Sequence, residues 1–136
     1  MKIILSIKPE FVEEIFSGRK KYEYRKKIFT KDVSSVIVYS TIPVGKFVGE
    51  FTIEKIVSGD PALIWEKTKN HSGVTKEFYD EYFRGRENGY ALKISTVKVY
   101  KNPIDPFRLI KSFVAPQSFK YITEEEFESW EEELVW

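Results

Sequence analysis

Residues 19–27 crowd six basic side chains, Arg19, Lys20, Lys21, Arg25, Lys26 and Lys27, around one carboxylate, Glu23. Side chains two apart on a strand share a face, about 6–7 Å from each other. Glu23 and Arg25 can therefore brace one another, and Lys20 can reach the same spot from the turn before the strand. Such a group suits a phosphate or a nucleobase: Arg offers a planar fork of donors, Lys a compact charge, and Glu an acceptor for an exocyclic amine. Tyr22 and Tyr24 alternate with the charges and can stack on bases where exposed. The same pattern also fits a surface strand with an ordinary ion pair and two core tyrosines, because a basic cluster alone is weak evidence.

The only histidine, His71, lies in the polar stretch Asn70-His71-Ser72-Gly73. Lys20, Glu23 and His71 together would form an acid–base set for RNA cleavage, with the imidazole titrating near neutrality. A lone exposed histidine with no role is the competing reading. With no cysteine in the chain, disulfides, thiolate catalysis and Cys-based zinc sites are excluded. No His/carboxylate metal spacing, P-loop or dinucleotide glycine motif occurs. The expectation is therefore a site without metal or cofactor.

The elements that position these residues follow from local rules. Residues 2–7 read as a strand. Pro9 suits a first helical turn, Phe11, Val12, Ile15 and Phe16 share a helical face, and Gly18 stands where a left-handed cap is wanted, so residues 9–17 form a helix. Residues 20–25 alternate as a strand, with Lys21, Glu23 and Arg25 on one face and Lys20, Tyr22 and Tyr24 on the other. The apolar run 35–40 reads as a strand covered on both sides. Residues 47–54 alternate cleanly and slip parity at Ile56, the mark of a bulge or bend. Asp60-Pro61 and Thr75 open two helices, Gly85 closes the second, and residues 90–100 form another strand that changes parity. Residues 103–121, punctuated by Pro103, Pro106 and Pro116, read as irregular. Thr123 and Glu126 make a capping box for a last helix striped by Phe127, Trp130 and Leu134.

Strands that change parity midway bend strongly. The pattern predicts an α+β fold, a small mixed β-barrel with peripheral helices, over a ferredoxin-like open sheet. The 136 residues, 42% hydrophobic and 32% charged, fit a folded single domain. We divide them into a barrel over residues 1–106 and an extension over 107–136 whose acidic helix packs on it. No run of 18 apolar residues occurs and the N-terminus does not read as a signal peptide, so a cytoplasmic location is the expectation. Scarce Asn, Gln and Met beside abundant Lys and Glu match a thermophile bias, as does ordinary scatter. Net charge is +1 but unevenly spread. Residues 1–27 carry eight Lys/Arg against four Glu, and residues 121–136 carry seven Glu and no base, which leaves room for an anion-binding face.

Gly18-x-Lys20-x-x-Glu23-x-Arg25 at the end of an N-terminal helix resembles the signature of the ASCH domain family, within the PUA-like superfamily of small β-barrels. The resemblance continues through Val38-Tyr39-Ser40-Thr41-Ile42-Pro43, Val48-Gly49-Glu50-Phe51, Gly73-Val74-Thr75-Lys76-Glu77-Phe78, Tyr82-Phe83-x-Gly85 and Tyr90-Ala91-Leu92-x-Ile94, spanning about residues 2–106. It implies a PUA-like barrel that binds RNA or a nucleotide, with a part in RNA metabolism, translation or transcription regulation. Its motif residues, here Gly18, Lys20, Glu23 and Arg25, would line a cleft beside the barrel. Ser40, Thr41 and Lys46 would join them from the loop before a barrel strand, and Tyr82 and Tyr90 would supply a stacking wall. Their other readings are a polar turn and core aromatics. One branch of the family hydrolyses amides of acylated cytidine with a Lys, a Thr and a Glu. Lys20 matches its Lys, but Glu23 stands at the Thr position and His71 falls near the acidic one, so that triad is not preserved.

Three functional classes follow: an RNA- or nucleotide-binding module, a nucleoside- or RNA-processing enzyme using Lys20 and Glu23, and a protein-interaction adaptor. The adaptor would expose Phe127, Trp130 and Leu134 of the last helix.

Overall fold

The computed structural model describes residues 1–131. Its core is one six-stranded sheet in the order β2-β5-β4-β3-β1-β6. The strands are β1 (Lys2–Ile7), β2 (Tyr22–Arg25), β3 (Ser35–Ser40), β4 (Lys46–Gly59), β5 (Gly89–Ile104) and β6 (Lys120–Ile122). β1 and β3 are parallel, and every other pairing is antiparallel. The helices are α1 (Pro9–Phe16), α2 (Pro61–Thr68), α3 (Lys76–Tyr82) and α4 (Glu124–Trp130). No described helix is long and apolar enough to cross a membrane.

The parity slips expected in the two long strands are present. The β4–β5 ladder shifts register between Phe47 and Gly49, between Phe51 and Ile53, and between Ile53 and Lys55. Each shift adds twist and bends the strands, and the sheet curls into a half-barrel. The long strand runs to Ile104, past Pro103, further than the prolines suggest. A proline can remain in a strand where its missing N–H is not needed for the ladder.

The central strands are covered on both faces, as the unbroken apolar run of β3 predicts. Ile3, Leu5 and Ile7 of β1 join Val36 and Val38 of β3 in one core, which α1 seals with Val12 and Ile15. Ile4, Ile37 and Tyr39 belong to a second core on the other face, closed by Phe113, Phe127 and Trp130. Phe127 and Trp130 are thus buried, and the exposed docking face that an adaptor needs is not formed by them. Leu134 lies outside the described residues. A third cluster, Tyr24, Ile64, Tyr79, Phe83 and Ala91, fastens α2 and α3 to β2 and β5.

Local signals set the helix ends. Asp60 and Thr75 each accept a backbone N–H of the helix they open, and Thr123 with Glu126 forms the full capping box. One strand was hidden from these rules. β6 falls in the segment expected to be irregular and has only three residues, held to β1 through Lys2, Ile3 and Ile4.

Gly49 sets how closely α1 approaches the sheet. A Cβ there would sit 2.4 Å from the Lys98 carbonyl oxygen and 2.7 Å from the Phe16 ring. The first neighbour is backbone and cannot swing away. Gly49→Ala is therefore expected to lower stability by about 3 kcal/mol, the upper range for overpacking, read as an earlier urea midpoint at unchanged slope.

A cationic cleft at the exit of the first helix

Gly18 takes φ +86°, a left-handed conformation that a glycine reaches without a Cβ clash. The chain reverses there, and Lys20 N donates to Glu14 O at 2.9 Å. The turn sends the two neighbouring cations in opposite directions. Arg19 stays in solvent, paired with Glu14 at 2.6 Å, while Lys20 turns inward until it is only 2% exposed.

The Lys20 ammonium donates to Ser72 O at 2.7 Å. It lies 4.8 Å from the Tyr24 ring centre and 5.5 Å from that of Phe11, within range of cation–π attraction. Burial holds its pKa below the ordinary lysine value, opposed by the negative charges of Glu23 and Glu14. Its stem runs against Gly73, where φ is +67° and a Cβ would come within 2.4 Å of the Lys20 Cβ.

Glu23 and Arg25 form the expected pair, Nη1 to Oε2 at 3.1 Å, with both side chains largely buried. Arg25 does more than brace Glu23. Its Nη2 donates to Ser118 O at 2.8 Å, and its Nη1 also reaches Ser6 O at 3.4 Å. β2 and β6 are the two free edges of the curled sheet, so this guanidinium links one edge to β1 and to the residues entering the other. The seam is bridged by a side chain where, among the described residues, no strand ladder crosses it.

Beneath them Tyr24 shares a hydrogen bond with Thr68 at 2.7 Å, and Thr68 donates on to Ile64 O. Burial raises the Tyr24 phenol to about 12. It therefore stays neutral at physiological pH, as does Tyr79, which burial also raises and which donates to Pro61 O at 2.6 Å.

These groups line a cleft of about 380 Å³. Lys20, Glu23, Arg25 and Tyr82 of the expected site all lie on its wall, together with Tyr24. Strand parity would have kept Glu23 and Tyr24 on separate faces. β2 pairs with a strand on one side only, and the cleft wraps its open edge, collecting both faces. Gly18 shapes the approach as the turn and is not itself on the wall.

The remaining expected residues sit elsewhere. Ser40 is buried at the end of β3, Thr41 donates its N–H to Ile7 O, and Lys46 stands exposed at the start of β4. Tyr90 is opposite Arg25 in the ladder but does not line the cleft. The His71 side chain is exposed and off the wall, and only its carbonyl takes part, accepting from Lys21 N at 2.9 Å. The proposed Lys20–Glu23–His71 set is therefore not assembled. A loop residue next to Ser72 in sequence reaches the cleft only if its side chain points there, and this one points to water.

Sequence reasoning missed Lys8, Phe11, Phe78, Glu81 and Gln117 on the wall. Phe78 and Tyr82 carried a signal, being four apart on one helix face, but that face was equally a core face. Gln117 had none. Among the described residues no group of three or more His, Asp or Glu is gathered as metal ligands.

A curled mixed sheet with peripheral helices and a cationic cleft at the exit of its first helix is a PUA-like domain, the architecture shared with its structural neighbours. The chain belongs to the ASCH domain family, whose model matches residues 5–105. A protein of Zymomonas mobilis named ASCH domain-containing ribonuclease is 31% identical over 130 residues, covering 90% of this chain and 85% of that protein. The crystal structure of ASCH from Zymomonas mobilis superposes with a TM-score of 0.91 at 27% identity, covering 98% of this chain and 96% of that one. A Ureaplasma parvum protein named Large ribosomal subunit protein uL22 is 31% identical over 123 residues, covering 88% of this chain but 39% of that protein.

Proposed function

We propose that the protein binds RNA in this cleft, with one nucleotide held against Lys20, Glu23 and Arg25. The observation that carries the reading is a lysine ammonium at the base of an open, aromatic-walled hollow, beside a carboxylate held in place by an arginine. Lys20 supplies charge for a phosphate, the fixed carboxylate accepts an N–H from a base edge, and Tyr82 offers a ring face for stacking. The family membership and the name of the Zymomonas relative support RNA as the ligand. The likeness to part of a protein named for the large ribosomal subunit supports a role in translation.

A second reading, RNA cleavage, is favoured by the ribonuclease name of that relative and by the depressed basicity of Lys20. A neutral amine there can take the 2′-hydroxyl proton, so that the 2′ oxygen bonds to phosphorus as the P–O5′ bond breaks. The ammonium so formed returns the proton to the departing 5′ oxygen. The products would carry a 2′,3′-cyclic phosphate and a 5′-hydroxyl.

Titration of single-stranded RNA into the parent and a Lys20→Met variant tests both readings. Binding is expected to weaken at least tenfold in the variant, and any cleavage to disappear. Equal affinity and equal turnover in the two proteins would refute the site. The pH dependence has a defined sign. A phosphate favours charged Lys20, so affinity should fall as pH rises through its depressed pKa, which lies below the roughly 10.4 of a free lysine. Stability runs the other way in that window. The unfolded chain holds the proton more tightly there, so the penalty of burying the charge is fully present below the folded pKa and is relieved as pH rises. Lys20→Met should flatten both trends.

A further inference from the structure

The mouth of the cleft carries a second arrangement that the floor does not use. Phe78 and Tyr82, four residues apart on α3, present their rings nearly parallel, 10° apart in plane with centres separated by 6.3 Å. Each ring has a lysine over it. The Lys8 ammonium is 5.3 Å from the Phe78 centre, and the Lys26 ammonium is 4.7 Å from that of Tyr82. Both lysines are exposed, and both rings line the cleft.

Two pairs on α3 and its exit are formed locally, and Glu77 in the first turn is the acid that joins neither. Lys76 pairs with Asp80 at 2.7 Å, and Arg84 pairs with Glu81, the acid at the cleft mouth. Lys8 and Lys26 pair with no carboxylate among the described residues. Lys8 follows β1 and Lys26 follows β2, so the two arrive from separate strands and stand at successive rings along one helix edge.

We propose that Lys8 and Lys26 form a phosphate rail across the mouth of the cleft, and that the ligand is therefore an unpaired stretch of RNA, not a free nucleotide. The inference rests on the cleft being the RNA site. The strand lies along the Phe78–Tyr82 edge with a phosphate over each lysine, and the nucleotide between them turns inward toward Lys20. Cation–π contact holds each ammonium on its ring without neutralising it, which leaves the charge for the backbone. A duplex is disfavoured because a paired base must first be unpaired and turned out of its stack to reach a lysine that is 2% exposed.

The test uses a short dye-labelled single-stranded RNA, the same sequence as a duplex, and a nucleoside 5′-monophosphate. It compares the parent with Lys8→Ala, Lys26→Ala, the double variant and Lys20→Met. Each rail lysine should account for about 0.7 of the log–log salt slope on the single strand, so the double variant should lose about 1.4. Its affinity at low salt should fall at least tenfold, while the monophosphate, followed by its shifts of the Tyr24 resonances, should lose far less affinity than the single strand does. The duplex should bind the parent at least tenfold more weakly than the single strand. Both lysines are exposed, so the variants should melt as the parent does. A double variant with the parental salt slope, while Lys20→Met still weakens binding, overturns the rail and leaves the cleft standing. If Lys20→Met also binds as the parent does, the cleft reading falls and the rail with it.

Discussion

Arg25→Met is expected to remove about 3 kcal/mol of stability, near the lower end for breaking a buried ion pair by deleting one partner. For a chain of this size that is a fall of roughly 10 °C in melting temperature. Methionine keeps the bulk of the side chain, so the loss isolates the guanidinium. Three things go at once. Glu23, whose side chain is 8% exposed, is left as an unpaired carboxylate, and Ser118 O and Ser6 O lose their donor. The last two losses open the seam between β2 and the β1–β6 side of the sheet.

The two parts can be separated by adding Glu23→Gln. This removes the stranded charge but restores no seam bond, so the double variant should recover part of the melting temperature and not all of it. Full recovery would show that the seam contacts contribute nothing. A single variant melting within a degree of the parent would show that neither part matters. Arg25 thus acts as brace and wall together: it and Glu23 satisfy one another, yet a hollow of about 380 Å³ adjoins them.

Gly73→Ala is expected to weaken RNA binding at least tenfold without changing a single charge. Alanine at φ +67° carries about 1–2 kcal/mol of left-handed strain. Its methyl group would also overlap the Lys20 stem, 2.4 Å from Cβ, 2.5 Å from Cγ and 2.8 Å from Cδ. The Lys20 side chain is buried, with its ammonium held over the rings of Phe11 and Tyr24, so the stem yields by moving the ammonium off Ser72 O. Gly85→Ala is the matched control. Its φ of +76° imposes the same kind of strain, and nothing lies within 4 Å of the added carbon. Both variants should melt earlier, but only Gly73→Ala should lose affinity. Equal affinity losses would point to general softening and against displacement of Lys20.

Much of the scaffold was legible one residue at a time. Pro9 and Gly18 delimit α1, Asp60 and Thr75 cap α2 and α3, and Thr123 with Glu126 caps α4, because capping and glycine conformation are decided within a single turn of chain. The alternation of β4 and the unbroken apolar run of β3 predicted one strand that bends and one covered on both faces. The Glu23–Arg25 pair was legible for the same reason, being two residues apart on one strand. His71 shows the limit: it is adjacent in sequence to the segment that meets Lys20, and its side chain is still exposed and off the cleft wall. β6 shows another, since three residues carry too little periodicity to stand out, and only the free edge of β1 makes them a strand.

The sequence by itself determined which residues could bind an anion, and where the chain must turn to present them. Tertiary structure alone decided that Lys20 would be buried and less basic, because the carbonyl that receives it belongs to Ser72, 52 residues away. It alone decided that Arg25 would bridge an open seam, because Ser118 is 93 residues away. Propensity, capping and alternation act over one or two turns of chain, whereas desolvation depends on everything that packs around a group, wherever in the chain it comes from.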